Sequence, residues 1–255
     1  MTLLNNLVEF SKKVLYPNGE PYTFYGKKLL FVAGTRPVRR KYLNAESDVV
    51  RNDVLQINYF EANFKPGDVL WDIGSHKGHY SIFAATIAAG PNQVFSFEPD
   101  VAAREVQEKN IRLNHLADRI TIFKTAVSNV KGVLKFKSMG GNANSHIIKD
   151  EQNSEPDIVS VDSTTIDALL EELPEPGFVK IDTEGAEVDI IRAASKLLAN
   201  RNVHFICELH PFAWENFNVG YDEFKSTVEK YGRTIIPLDA KKSVTELPFY
   251  GTVLF

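Results

Sequence analysis

From residue 66 onward, short apolar segments alternate with longer segments that carry a helical period. The clearest apolar segments are VLWDI (69–73), QVFSFEP (93–99), FVKID (178–182) and VHFICEL (203–209). Strands that are apolar almost throughout are buried on both faces, which is typical of a mainly parallel sheet covered by helices. The alternation therefore predicts an α/β fold. Ligands of such a fold bind where the strands end, here after residues 73, 98, 125, 182 and 209.

The predicted helices between these strands carry ordinary start and stop signals. Gly90 ends YSIFAATIAAG, Asp100 caps DVAAREVQEKNIRLNHL, and Thr165 caps IDALLEEL. Two further helices are predicted, from about Ala186 to Leu198 and over YDEFKSTVEKYG, which Gly232 ends. Further strands are predicted at RITIFKTAV, RTIIPL and FYGTVLF, with extended segments at KGVLKFKS and DIVSVDS. Together these elements predict one domain over residues 66–255.

Residues 1–65 do not follow the alternation. YTFYGKKLLFVAG predicts a hairpin with Gly26 near its turn, and SDVVRNDVLQINYFEANF predicts a helix that leads into the domain. We interpret residues 1–65 as an N-terminal extension that caps the sheet or covers the substrate.

Composition bounds the classes of function. The formal net charge of −4 is spread without long runs, which gives no electrostatic support for a nucleic-acid partner. The single cysteine, Cys207, lies in an apolar run and is expected to be a small buried hydrophobe. No window approaches the length of a membrane span. We therefore expect a cytoplasmic protein without a membrane span, and predict no oligomeric state.

The loop DIGSHKGHYS follows the first strand of the domain. Asp72 precedes Gly74-Ser75-His76-Lys77-Gly78, and glycines there let a ligand approach the backbone. The spacing G-x-x-x-G differs from the pyrophosphate loop of dinucleotide folds, and Asp72 would repel a phosphate. Asp72 is suited instead to an ammonium or a hydroxyl group. The alternative is a plain strand-to-helix turn, with His76 and His79 as exposed loop residues.

Acidic residues and one histidine follow three other strands. Glu98 is placed to receive the hydroxyls of a ribose, and its alternative is a solvated carboxylate beside the next helix. Asp182, Glu184 and Glu187 crowd one strand end, where helix capping also explains the two glutamates. Glu208 and His210 alternate along a strand end and therefore share a face. A histidine near its ordinary pKa is a natural general base, and the alternative is a histidine that merely closes the strand.

These segments, with TAVSN and VDSTTIDALL, resemble the FkbM family of S-adenosylmethionine-dependent methyltransferases over about residues 66–211. The resemblance implies a class I methyltransferase fold, with a mainly parallel seven-stranded sheet and an antiparallel last strand. It implies S-adenosylmethionine as cofactor and a hydroxylated small molecule as acceptor, on a sugar, polyketide or other secondary metabolite. His76 and Lys77 depart from the family's usual residues, so the resemblance implies backbone contacts there and no side-chain roles.

Carried over to this chain, the resemblance implies that Glu98 binds the ribose of the cofactor. The loop around the methionine part of the cofactor would be formed by Asp72, Gly74, Ser75 and Gly78. The implied cofactor-binding residues are Asp72, Gly74, Ser75, Gly78, Tyr80, Ser81, Glu98, Pro99, Asp100, Ala126, Val127 and Asp182. A hydroxyl acceptor must lose a proton, and the candidates in order of preference are His210, Glu184, Asp182 and Glu208. A divalent metal on Asp182, Glu184 and Glu208 is possible chemistry that we leave unassigned.

Two other functions remain open from the residues. An NAD-dependent oxidoreductase would share the sheet and the acid after its second strand, and a non-catalytic cofactor-binding protein would keep the fold without the transfer. Acceptor specificity is expected in residues 1–65, in the loop 139–156 and in PFAWENFNVGYD. In the last segment, Phe212, Trp214 and Phe217 line an apolar pocket or pack under a loop.

Overall fold

The structure, a computed structural model, describes residues 11–39, 42–43, 46–88, 90–91, 93–142, 144–149, 156–243 and 250–255. The strands are β1 (Glu20–Phe24), β2 (Lys27–Phe31), β3 (Leu70–Ile73), β4 (Val94–Phe97), β5 (Ile120–Phe123), β6 (Ala126–Val127), β7 (Gly132–Lys137), β8 (His146–Ile148), β9 (Ile158–Thr164), β10 (Phe178–Ile181), β11 (His204–Leu209), β12 (Ile236–Pro237) and β13 (Gly251–Leu254). The helices are α1 (Asp48–Asn63), α2 (His79–Ile87), α3 (Val101–Leu113), α4 (Ile166–Leu169), α5 (Glu187–Arg192), α6 (Ser195–Ala199) and α7 (Tyr221–Lys230), with a 3₁₀ helix at Pro211–Phe217.

The central sheet has seven strands in the order β12-β13-β11-β10-β3-β4-β5. Strands β5, β4, β3, β10 and β11 run parallel to one another, whereas β13 lies antiparallel to both β11 and β12. This confirms the predicted fold class, a mainly parallel seven-stranded α/β sheet with an antiparallel last strand. The carboxyl ends of β3, β4, β10 and β11 therefore meet at one edge.

A second sheet of four strands, in the order β6-β9-β7-β8, was not predicted as a separate layer. The predicted strand RITIFKTAV is interrupted after Phe123, because Ala126 and Val127 leave the central sheet and pair with Ser163 and Thr164 of β9. This small sheet joins the two extended segments predicted from KGVLKFKS and DIVSVDS.

The helix boundaries follow the capping residues more closely than the length of the periodic pattern. Asp100 accepts hydrogen bonds from the amides of Ala102 and Ala103 at 2.8 and 3.1 Å, and Thr165 accepts one from Ala168, as predicted. The single helix predicted from Ala186 to Leu198 is wrong. It divides into α5 and α6, and the carbonyl of Ala193 at the break accepts from Asp167. The helix at IDALLEEL and the strand at RTIIPL are also shorter than predicted.

The N-terminal hairpin and α1 pack on one face of the central sheet. Tyr25 and Gly26 both have positive φ, of 50° and 68°, as a two-residue turn between twisted strands requires. The ring of Phe24 stacks on Phe83 of α2 at 4.0 Å, and Phe60 of α1 is buried in the same cluster. These residues share a hydrophobic core with the sheet. Within the described part of the chain, no helix is long and apolar enough to cross a membrane.

Candidate active site

A cavity of about 560 Å³ lies at the carboxyl ends of β3, β4, β10 and β11, a size typical of small-molecule sites. Twelve of the residues predicted for cofactor binding or catalysis line it: Gly74, Ser75, Tyr80, Glu98, Pro99, Asp100, Ala126, Val127, Asp182, Glu184, Glu208 and His210. The topology brings these residues together because parallel strands that leave the sheet at one edge present their following loops to the same crevice.

Three predicted cofactor residues, Asp72, Gly78 and Ser81, do not line the cavity. Ser81 donates a hydrogen bond to Asp72 Oδ2 at 2.6 Å and contacts Ser96 at 2.8 Å. Burial raises the pKa of Asp72, although Lys180 and Ser81 oppose this. Asp72 thus connects the end of β3 to α2 through Ser81, and the cofactor contact that the resemblance implies for it stays a prediction.

The two glycines of the loop are required by close packing. Gly74 has φ +76°, and a Cβ there would lie 1.8 Å from the carbonyl oxygen of Asp182. Gly78 has φ +78°, and its Cβ would lie 2.6 Å from Gln107 Cγ. Both positions also favour glycine because L-residues rarely adopt positive φ. The spacing G-x-x-x-G thus allows the loop to lie directly against the loop that follows β10 and against α3.

Glu98 is held rigidly at the end of β4. It is 6% exposed, and its two carboxyl oxygens accept from the backbone amides of Asp100 at 2.8 Å and His76 at 2.7 Å. Burial raises the pKa of Glu98 to about 7, against the opposing effect of those two hydrogen bonds. Each oxygen retains a further acceptor position, which suits two neighbouring hydroxyl groups such as those of a ribose.

His76 and His79 are not exposed, so the expectation that they are exposed loop residues is wrong. His76 Nε2 lies 2.8 Å from the carbonyl oxygen of Gly141, and His79 Nε2 lies 2.6 Å from that of Thr35. Burial lowers the pKa of both, to about 3 for His79, against the opposing effect of these carbonyl groups. Both therefore remain neutral at ordinary pH and tie the loop to its neighbours.

His210 is fixed by a residue that the sequence analysis attributed to helix capping. Glu187 is fully buried, and it accepts from Gly185 N at 2.9 Å and Trp214 Nε1 at 2.8 Å while contacting His210 Nδ1 at 3.0 Å. Burial lowers the pKa of His210, but the hydrogen bond and charge of Glu187, with Asp182 and Glu184, outweigh this and raise it to about 10. His210 is therefore an imidazolium at neutral pH.

Three carboxylates surround the other ring nitrogen of His210. Its Nε2 lies 3.6 Å from Glu184, 3.9 Å from Asp182 and 4.0 Å from Glu208. Glu184 has φ 55°, a strained conformation for a residue other than glycine, and strain of this kind clusters at functional sites. Burial raises the pKa of Glu184 to about 7, with Asp182, Glu208 and Glu187 adding to the effect and His210 opposing it.

A buried lysine balances part of this negative charge. Lys180 is 2% exposed; its Nζ lies 2.8 Å from Asp182 Oδ2 and 4.7 Å from the centre of the Tyr80 ring. Burial raises the pKa of Asp182, but Lys180 and His210 outweigh it and lower the net value. Burial, and then Asp182, raise the pKa of Glu208. The strand sequence predicted Asp182 but not its partner, since lysine inside an apolar run carries no signal of its own.

The far end of the cavity is built by residues that the sequence analysis did not single out. Gln56 of α1 donates to Glu208 Oε2 at 2.7 Å, and Tyr250 donates to its other oxygen. Asp53 and Val49 of α1 line the same end, with Phe212. Of the three aromatic residues predicted for acceptor specificity, only Phe212 lines the cavity. Trp214 and Phe217, which are 3% and 5% exposed, pack in the core.

Three side chains at this end have the spacing of metal ligands. Single ligand atoms of Asp182, Glu208 and His210 lie within 4.8 Å of one another. Lys180 is bound to Asp182, and a metal would displace the proton from His210. We leave the metal unassigned.

Comparison with known proteins identifies a family. A sequence model described as the methyltransferase FkbM domain matches residues 72–235. A hexuronic acid methyltransferase, AglP of Haloferax volcanii, is 28% identical over 179 residues, which cover 68% of this chain. They cover 65% of that relative, so less than two thirds of its length is matched.

Solved structures resemble the chain more distantly. Methyltransferase FkbM from Methylobacillus flagellatus KT has a TM-score of 0.46 and 13% identity, and the match covers 82% of this chain and 55% of that one. A putative rRNA methylase from Clostridium thermocellum has a TM-score of 0.46 and 14% identity, and the match covers 77% of this chain and 89% of that one.

Three residues at the far end of the cavity, Asp53, Gln56 and Tyr250, lie outside the residues matched by the family model.

Proposed function

The chain belongs to the FkbM methyltransferase family, and from that premise we propose that it transfers a methyl group from S-adenosylmethionine to a hydroxyl group of a sugar-like acceptor. The observation that carries the proposal is the cavity itself. It joins a nucleoside-like end, at Glu98, Asp100, Ala126 and Val127, to an acid–base end at Glu184 and its charged neighbours. Methyl transfer needs both ends, since one holds the donor and the other accepts a proton.

The residues of the nucleoside end fit the cofactor. Glu98 presents two remaining acceptor positions to a ribose, and Ala126 and Val127 offer an apolar surface for a base. When bound, S-adenosylmethionine would supply a methyl group on a sulfonium ion, which passes to the acceptor oxygen as the carbon–sulfur electron pair returns to sulfur. The chain must bind and orient both molecules, exclude water and take the hydroxyl proton.

Glu184 replaces His210 as the proposed general base. An imidazolium whose pKa is about 10 has no free electron pair for a proton at neutral pH, whereas a carboxyl group of pKa about 7 is substantially ionised there. Glu184 projects from a strained turn and lines the cavity. We propose that His210 orients Glu184 and balances its charge, while Glu184 takes the proton of the acceptor hydroxyl.

Electrostatics support a small hydroxylated acceptor over RNA. The carboxyl groups of Asp53, Glu184 and Glu208 lie together at the acceptor end, which disfavours the many phosphates of an RNA backbone. The relative from Haloferax volcanii, a hexuronic acid methyltransferase, supports a sugar as the acceptor. We retain a small molecule as partner and leave the divalent metal unassigned.

Calorimetric titration with S-adenosylhomocysteine and NADH tests the cofactor, and transfer of a labelled methyl group to a panel of methyl glycosides tests the reaction. We expect micromolar binding of S-adenosylhomocysteine, no binding of NADH, and labelled sugar. Binding of NADH alone would favour the oxidoreductase. Cofactor binding without transfer to any glycoside, polyketide or RNA would favour the non-catalytic protein.

A further inference from the structure

Asp53 occupies a fixed position at the acceptor end of the cavity. Its helix, α1, buries Val54, Ile57 and Phe60 on the core side. The same helix is fastened to the sheet edge because Asn52 Oδ1 accepts from the amide of Thr252 at 3.0 Å. Asp53 thus enters the cavity from a helix anchored at neighbouring residues on both sides.

The Asp53 carboxyl group has no donor within the part of the chain that the structure describes. It forms no hydrogen bond or ion pair there, and the groups that influence it most are the like charges of Glu208 and Asp182. The one opposing cation, Lys180, is already bound to Asp182. Burial, and then Glu208 and Asp182, raise the pKa of Asp53 to about 7.

Asp53 lines the cavity and is only partly buried, so its carboxyl oxygens are open to a ligand. A hydroxyl group brought by a ligand can therefore donate a hydrogen bond to them. The other carboxylates at this end do have partners. Glu208 accepts from Gln56 and Tyr250, Asp182 is paired with Lys180, and Glu184 faces the His210 imidazolium at 3.6 Å. Asp53 is therefore the acceptor-end carboxylate with the greatest capacity for a new donor.

Asp53 lies too far from the nucleoside end of the cavity to bind the nucleoside of the cofactor. The hydroxyl group that donates to Asp53 therefore belongs to the methyl acceptor. Glu98 follows β4, whereas Asp182 follows β10 and Glu208 lies near the end of β11. Two strand spacings separate β4 from β10 and three separate it from β11, which is about 9 and about 14 Å. Phe212, whose side chain is 71% exposed, lines this end and presents an aromatic surface to whatever lies beside Asp53.

We propose that Asp53 binds a second hydroxyl group of the acceptor, next to the one that is methylated, and so selects acceptors with neighbouring hydroxyl groups. This inference rests on the proposed function and adds a specificity residue from outside the family-matched region. A sugar supplies the required pair of hydroxyl groups, and its C–H face suits the ring of Phe212. Asp53 accepts a hydrogen bond from one hydroxyl while Glu184 takes the proton of the other.

The test compares Asp53→Ala and Asp53→Asn with the wild type. Asp48→Asn serves as a matched control, because Asp48 lies on the same helix but is exposed and outside the cavity. Each protein is titrated first with S-adenosylhomocysteine. With that ligand saturating, it is titrated with methyl glucoside, methyl galactoside, methyl glucuronide and their monodeoxy analogues. Circular dichroism checks that each variant folds.

We expect S-adenosylhomocysteine to bind all variants within about twofold of the wild type. The wild type should bind one parent sugar about tenfold more tightly than the analogue that lacks the neighbouring hydroxyl, the value of one hydrogen bond of about 1.4 kcal/mol. Asp53→Ala should weaken binding of the parent sugar about tenfold and leave binding of the analogue unchanged, so that the difference in affinity between the two disappears. Asp53→Asn should keep part of this difference in affinity, and Asp48→Asn should keep all of it.

Three results would overturn the assignment of Asp53. The first is unchanged affinity of Asp53→Ala for the parent sugar. The second is an equal loss for parent and analogue, which indicates a structural role. The third is a wild type that binds S-adenosylhomocysteine but no sugar of the panel. A wild type that does not bind S-adenosylhomocysteine at all refutes the proposed function instead, so the two failures are distinguishable.

Discussion

Replacing Glu187 with glutamine tests the electrostatic design of the acceptor end. Glu187 is fully buried and receives three hydrogen bonds, from Gly185 N, Trp214 Nε1 and His210 Nδ1. Glutamine has nearly the same shape as glutamate but carries no charge. One accepting carboxylate oxygen is replaced by an amide nitrogen, which donates and therefore faces one of the three donors. Glu187→Gln should therefore leave the local packing intact while removing the main group that holds a proton on His210.

The magnitude follows from the pKa of His210, which is raised from 6.5 to about 10. A shift of this size corresponds to about 5 kcal/mol between the two protonation states. Because the pKa in the folded state lies above the unfolded value, the stabilisation is fully present below pH 6.5 and is lost as the pH rises toward 10. We expect Glu187→Gln to lower the free energy of unfolding by about 3–5 kcal/mol at pH 7. The difference from the wild type should shrink at pH 10.

Urea unfolding followed by circular dichroism, at each pH unit from 6 to 10, measures this difference. The NMR chemical shifts of the His210 imidazole nitrogens report its protonation directly. Glu215→Gln is the control variant, since Glu215 is an exposed glutamate in the 3₁₀ helix that follows His210. The reasoning is refuted if wild type and Glu187→Gln unfold with the same pH dependence. It is equally refuted if His210 is already neutral at pH 8 in the wild type.

Three further predictions concern the cofactor end, the base and the loop. Glu98→Ala should weaken S-adenosylhomocysteine at least about 30-fold by calorimetry, since two hydrogen bonds to a charged group are lost; wild-type affinity would exclude Glu98 from the ribose site. Glu184→Gln should lower kcat about 100-fold. It should also abolish the rise of the rate through pH 7, because the group with a pKa of about 7 whose deprotonation causes that rise is removed. A rise that is retained in the variant would point to Asp53 as the base. Gly74→Ala should lower the free energy of unfolding in urea by at least about 3 kcal/mol, since the added Cβ meets the backbone oxygen of Asp182. Gly26→Ala, with open space around it, should lower it by about 1 kcal/mol. Equal losses in the two variants would contradict the packing argument.

The parts of the fold that were predictable depend on local patterns. Apolar runs predicted β3, β4, β10 and β11, and the cap at Asp100 predicted the start of α3, because each signal acts within a few residues. The break between α5 and α6 was missed since it depends on a contact between Ala193 and Asp167, which are far apart in the chain. The departure of β6 from the central sheet likewise depends on its pairing with β9.

The candidate site divides in the same way. Glu98, Glu184 and Glu208 were predictable because each follows a recognisable strand, and the cavity contains all three. Asp53 was not, since one acidic residue on a polar helix looks like a solvated side chain. Glu187 was identified only as a helix-capping carboxylate, because nothing near it in sequence indicates its contacts with Trp214 and His210.

Local patterns are enough to specify the class of fold, the edge of the sheet at which the cavity lies and most of the residues gathered there. Those properties follow from periodicity and chain order, which one strand and its next loop already carry. Which of these groups hold protons follows from the folded arrangement alone. Protonation depends on burial and on charges a few ångströms away, contributed by residues distant in the chain. For that reason His210, a base by its ordinary pKa, is a cation in the folded protein, and Glu184 and Asp53 are the groups that we propose for the acceptor.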